Sequence, residues 1–177
     1  MNKLPKIITQ EEFEKLYTHI SKEKPPNFKQ HQLCLLLGFE AGMRISEIVG
    51  WKDRVPALTQ EKIDLVNRSI RIESGKGQKD RIVPLPKRIN DSMIKLLPIT
   101  LKRRAIQEFI TKHAREVLQK EITFHTLRAG FITHLMNMGV PIHQVMLLAG
   151  HSKMETTGIY ARANPTQSLE NARRVFG

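Results

Sequence analysis

Five short segments of this chain concentrate side chains able to handle a phosphoryl group: Gly42-Met43-Arg44-Ile45-Ser46-Glu47, Gly75-Lys76-Gly77-Gln78-Lys79-Asp80-Arg81, His125-Thr126-Leu127-Arg128, Ala149-Gly150-His151 and Thr156-Thr157-Gly158-Ile159-Tyr160. Arg44 and Arg128 supply planar guanidinium forks that hold phosphate oxygens with fixed bidentate donors. Tyr160 carries a phenol, a nucleophile whose unperturbed pKa of about 10 calls for a base or a strongly positive field. Lys76, between two glycines, is a candidate proton donor to a leaving oxygen, and Lys79 is close enough in sequence to compete with it. Each residue taken singly has a plainer reading: a solvated arginine, a half-buried tyrosine, a surface or helix-end histidine, a turn lysine. The arginines depart from theirs, because Arg44 follows an apolar helix and Arg128 is flanked by Leu127 and another, where an unpaired charge is costly. Glu47, one turn after Arg44, fits an acid favoured by a helix N-terminus.

The elements that must position these groups are legible from periodicity. Thr9 with Glu12 three residues on forms a capping box that opens a helix through about His19, ended by Lys24-Pro25-Pro26. A second helix is predicted from Phe28 to Glu40, with Gly42 near its end. Its run Leu33-Cys34-Leu35-Leu36-Leu37 is apolar almost all round and marks a buried central helix. A third, short helix starts near Ser46. Between Ile63 and Leu85 the period changes to two: Ile70 and Ile72, then Val83 and Leu85, alternate with polar residues about a Gly75-Lys76-Gly77 turn, as in a hairpin. Helical spacing returns around Ala105 to Leu118, near Leu127 to Met138, and after Gly139-Val140-Pro141, a stop followed by a proline start.

The 177 residues are enough for one domain with a sizeable core. A composition 40% hydrophobic and 26% charged suits a folded rather than a disordered chain. The formal net charge of +12, spread along the chain, describes a folded basic face that attracts polyanions, nucleic acid first among them. Cys34 is the only cysteine, so no internal disulfide can form, and its apolar setting reads as an inert buried thiol. The N-terminus lacks a signal peptide's apolar core, and no stretch approaches the roughly 20 apolar residues of a membrane span, which points to an intracellular location. His125, His134, His143 and His151 recur without accompanying cysteine or carboxylate spacing, so no metal site is expected.

In order and spacing the five segments resemble the tyrosine recombinase, or phage integrase, family, from about Thr9 to Tyr160. That family shows Arg-x-Ser-Glu after a buried helix, Gly-Lys-Gly in a hairpin, His-x-x-Arg at a helix start, Leu-Gly-His, and Thr-Thr-x-x-Tyr near the end. The resemblance implies an α+β fold, mostly helical with a small three-stranded antiparallel sheet. It implies site-specific cleavage and rejoining of double-stranded DNA through a 3′-phosphotyrosyl intermediate, without metal or cofactor. Tyr160 would be the nucleophile and His125 would assist its proton transfer. Arg44 and Arg128 would stabilise the phosphorane, His151 would donate to a phosphate oxygen, and Lys76 would be the general acid. Glu47 would support the first arginine. Homotetramers on DNA and a nucleoid-associated location are implied as well.

Ala129 stands where many members carry His or Lys, which touches a secondary support but no primary catalytic group. The family places a helical DNA-binding domain ahead of the catalytic one, whereas this chain begins at Met1 almost directly on the catalytic fold. Residues 1–177 are therefore expected to be the catalytic domain with the N-terminal core-binding domain absent, whether by trimming or by nature. The rivals are a type IB topoisomerase, a non-catalytic DNA-binding module derived from a recombinase, and a basic RNA-binding protein. After Tyr160 a short helix is expected around Thr166 to Phe176, with Leu169, Ala172 and Val175 or Phe176 on one face. It would cover the chain's own core or, as the family does, pack on a neighbouring protomer.

Overall fold

The computed structural model describes residues 6–73 and 80–150. Lys76, Lys79, His151, Tyr160 and the expected tail helix lie outside them. Among the described residues, seven α-helices and a three-stranded sheet follow in the order α1 (Gln10–Glu23), α2 (Phe28–Phe39), α3 (Ile45–Val49), β1 (Ile63–Asp64), β2 (Ser69–Ile72), β3 (Arg81–Pro84), α4 (Asp91–Ile94), α5 (Arg103–Leu118), α6 (Phe124–Asn137) and α7 (Ile142–Ala149). The mostly helical α+β architecture with a small antiparallel sheet is the one expected. Among the described residues no helix is long and apolar enough to cross a membrane.

The capping box forms as read: the Glu12 amide donates to Thr9 Oγ1 at 3.2 Å and the Thr9 amide to Glu12 Oε2 at 3.0 Å. The helix runs one turn beyond His19, because Ile20 continues the buried stripe of Phe13 and Leu16, and it closes on Lys24 in the left-handed region before the prolines. Leu33 through Leu37 are all buried, and α2 packs against α1, α3, α4, α5 and α6 as the central element. Burial pushes the Cys34 thiol up to about 12, so it stays protonated and inert.

The sheet has the order β1-β2-β3, both pairs antiparallel, with Ile63 opposite Ile70 and Ile70 opposite Val83. Ile70, Ile72 and Val83 face the core while Arg71 and Ile82 face out. The alternation also turns Arg81 inward, onto the same face as Val83. The sixth helix begins three residues earlier than its apolar run, because Thr123 Oγ1 accepts from the Thr126 amide at 3.2 Å and caps it. That places His125 in its first turn. A second, smaller apolar cluster of Ala129, Phe131, Ile132, Val145 and Ala149 joins α6 to α7.

Candidate active site

The end of α7 organises the site. Its last carbonyls have no partner within the helix and carry the negative end of the helix dipole. Three consecutive ones each accept from a different arginine. Arg81 Nε donates to the Leu148 oxygen at 2.8 Å, Arg128 Nη2 to that of Ala149, and Arg44 Nη2 to that of Gly150 at 3.1 Å. Gly150 closes the helix at φ +61°, and a Cβ there would lie 3.0 Å from Arg81 Nη1. A side chain at this position would be strained by the backbone and would press on the guanidinium.

Arg44 is the residue before α3, extended at φ −79°, ψ 147°. Its amide donates to Glu47 Oε2 at 2.6 Å and its Nη1 to Glu47 Oε1 at 2.9 Å, so the acid one turn on fixes both backbone and side chain. Glu47 is buried and also receives Arg81 as a bidentate fork, Nη1 to Oε1 and Nη2 to Oε2, each at 2.8 Å. Burial alone would raise the Glu47 carboxyl. The hydrogen bonds and charge of Arg81, joined by the amide and charge of Arg44, outweigh it and hold the group below the ordinary carboxylate value.

Arg128 is buried within α6 and its Nη1 donates to the Gly42 oxygen at 2.5 Å. Gly42 follows α2 at φ +64°, and a Cβ on it would stand 2.3 Å from Phe131 Cδ1. The backbone that receives Arg128 is thus a conformation and a space that glycine alone fits.

Arg44, Arg128 and His125 line one open cleft of about 290 Å³, together with Ser46, Thr123 and Arg103. His125 is held below its usual value by loss of water and then by the charges of Arg128 and Arg44, so at neutral pH the ring is uncharged and able to accept a proton. Arg103 stands over the Trp51 ring at 4.9 Å, a cation-π pair at the cleft.

Of the seven residues singled out from sequence, Arg44, His125 and Arg128 meet in the cleft, and Glu47 lies behind Arg44. Lys76, His151 and Tyr160 lie outside the described residues. Arg81 and Arg103 were missed. Arg81 had a signal, since the alternation that buries Val83 buries position 81 too. Arg103 had none beyond its basic charge.

The phage integrase family model matches residues 6–167. The tyrosine recombinase XerA of Thermococcus kodakarensis is 34% identical over 189 residues, covering 97% of this chain and 62% of its own length. The chain spans about three fifths of the length of the curated relatives it matches. Among solved structures, the XerH site-specific recombinase bound to a palindromic difH substrate, in a post-cleavage complex, superposes with a TM-score of 0.73 at 26% identity. That match covers 99% of this chain and 54% of the other. The catalytic domain of bacteriophage HP1 integrase does so with a TM-score of 0.62 at 25% identity, covering 95% of this chain and 93% of that one.

Proposed function

The chain belongs to the phage integrase family, and on that premise we propose that residues 1–177 are the catalytic domain of a tyrosine recombinase, cleaving and rejoining duplex DNA site-specifically. The observation that carries the reading is the cleft that two guanidinium groups and an imidazole, those of Arg44, Arg128 and His125, line together. Tyr160 Oη attacks the scissile phosphorus, the bond to the 5′ oxygen breaks, and a 3′-phosphotyrosyl link forms. His125 takes the phenol proton, Lys76 protonates the departing oxygen, and His151 donates to a phosphate oxygen. Arg44 and Arg128 hold the charge that gathers on the non-bridging oxygens. Glu47 keeps Arg44 in place. Reversal by a 5′ hydroxyl rejoins the strand, so the bond energy is retained without a nucleotide or a metal. The relatives' DNA complexes support double-stranded DNA as substrate, and we extend the reading to a homotetramer on DNA inside the cell.

The test is incubation with a pool of nicked duplexes of randomised sequence in EDTA, followed by a search for a denaturant-resistant protein–DNA adduct. An adduct in wild type and none in Tyr160→Phe is expected, because the variant keeps the ring and loses the nucleophilic oxygen. An adduct that persists in Tyr160→Phe would overturn the assignment. Salt-sensitive DNA binding with no adduct in any pool would make the chain a binding module. Relaxation of supercoiled plasmid of arbitrary sequence by a monomer would make it a topoisomerase.

A further inference from the structure

The α1–α5 seam holds three side chains that strand exchange does not use. His19 on α1 and His113 and Glu116 on α5 each place one possible ligand atom within 4.8 Å of the other two. His19 Nε2 is 3.2 Å from His113 Nδ1. His113 Nδ1 is 3.2 Å from Glu116 Oε2, and His19 Nε2 is 3.7 Å from the same oxygen. Donors held at the usual zinc distances of about 2.0–2.2 Å in tetrahedral directions stand roughly 3.3 Å from one another. The triangle has that size. We propose that His19, His113 and Glu116 bind one divalent transition ion of the zinc type, with the fourth position open to water, and so clasp α1 to α5.

Local structure presents the ligands in advance. His113 and Glu116 are three residues apart and share a face of α5. The His113 ring is buried against Phe109, their centroids 4.3 Å apart, and Phe109 in turn stacks on His31 at 3.5 Å. The ring therefore has little freedom to lose on binding. Glu116 is about half exposed, which leaves an ion a path from solvent.

Without an ion the same atoms can bond one another, with His113 Nδ1–H or His19 Nε2–H donating to the Glu116 oxygen, so a bound ion takes the place of those hydrogen bonds. Two imidazoles and one carboxylate select zinc, nickel or copper over magnesium and calcium, which prefer all-oxygen shells. The site lies along the helix whose first turns carry Arg103 and Gln107 into the cleft, so the ion would brace α5 without touching the reacting atoms.

The site is independent of the recombinase reading and is tested on the whole chain, stripped with EDTA and dialysed free of it. Titration with CoCl2 should give the visible absorption of a tetrahedral nitrogen–oxygen site, ZnCl2 should abolish that absorption one for one, and zinc should raise the Tm. His19→Gln and Glu116→Gln should each weaken zinc binding by more than the roughly 10–100-fold cost of losing an outer-shell partner. His134→Gln, outside the cluster, should leave binding as in wild type. Glu116 is exposed enough that its variant keeps the fold, which a matching metal-free Tm verifies. Absence of the cobalt spectrum in wild type would overturn the site. So would a spectrum and zinc-dependent Tm rise that survive unchanged in both His19→Gln and Glu116→Gln, because the ion would then sit elsewhere.

Discussion

Two arginine–carboxylate clusters in this chain have opposite stoichiometry. Around Arg88, one guanidinium is shared by two acids. Nη1 and Nη2 fork onto Glu14 at 2.9 and 2.8 Å, Nε reaches Glu40 at 2.9 Å, and the plane lies over the Tyr17 ring at 4.7 Å. At the cleft, one acid, Glu47, is shared by Arg44 and Arg81, and Arg128 stands beside them on backbone carbonyls. The first cluster carries a formal negative surplus and straps α1 to the end of α2. The second carries a positive surplus of two, counted over those four residues, and opens on a cleft. Residue types alone do not separate a strap from an anion receptor. The ratio of acids to guanidiniums does, together with whether the remaining donors face protein or open space.

The largest expected effect breaks the two clusters apart by rate. Arg44→Ala and Arg128→Ala should each slow adduct formation on nicked duplex by roughly 10²–10³-fold, the usual cost of removing one preorganised donor from a developing oxyanion. Arg128→Lys keeps the charge, loses the fork, and should fall nearly as far. Arg88→Ala should leave the rate unchanged. An equal loss of rate in Arg88→Ala would mean that the straps, and not the surplus charge, set activity.

Stability should separate the clusters in the opposite sense. Glu47→Ala leaves two guanidiniums sharing a buried niche without their acid, and about 3–5 kcal/mol is the usual cost of orphaning a buried charge. Glu14→Ala removes one of two acids from a partly exposed arginine and should cost only about 0.2–1 kcal/mol. Urea unfolding midpoints, read with unchanged slopes, measure both. Comparable losses at the two sites would show that the Glu47 niche is wetter than its burial implies.

Much of this was legible because it is local. The Thr9 box, the Leu33–Leu37 run and the alternation of Ile70, Ile72 and Val83 are each contained within a few residues, and each formed. So was the position of Arg44 at a helix start, whereas His125 falls in a first turn that the apolar run from Leu127 did not mark. The dock on α7 was not legible, since its acceptors are backbone carbonyls that leave no mark in residue type. Arg81, Arg128 and Arg44 reach it from 67, 21 and 106 residues away. The histidine triangle is hidden for a related reason: His19 and His113 are 94 positions apart, and only the packing of α1 on α5 makes them neighbours. Even so, Arg81 was within reach, because a cation at an inward strand position needs a buried acid, and Glu47 was already in view.

The smallest expected effect sharpens the comparison by pH. The folded-state pKa of Glu47 lies below its ordinary value of 4.5, chiefly because the Arg81 fork and charge overcome the burial that would raise it. A depressed pKa contributes stability that is fully present above 4.5, where folded and unfolded chains are both ionised at this position. As pH falls below that value the unfolded chain takes up a proton and the folded one does not. Stability then declines, by roughly 1.4 kcal/mol for each pH unit over which only the unfolded chain is protonated, until the folded carboxyl titrates as well. Glu47→Gln cannot titrate. It should start less stable than wild type at neutral pH and lose less on acidification, so the gap between the two should narrow as pH drops through the carboxylate range. Urea midpoints at roughly pH 7, 5, 4 and 3 measure that gap. A gap that stays constant throughout would mean the Arg81 fork does not favour the ionised carboxylate, and the cleft cluster would then be held by packing and not by charge.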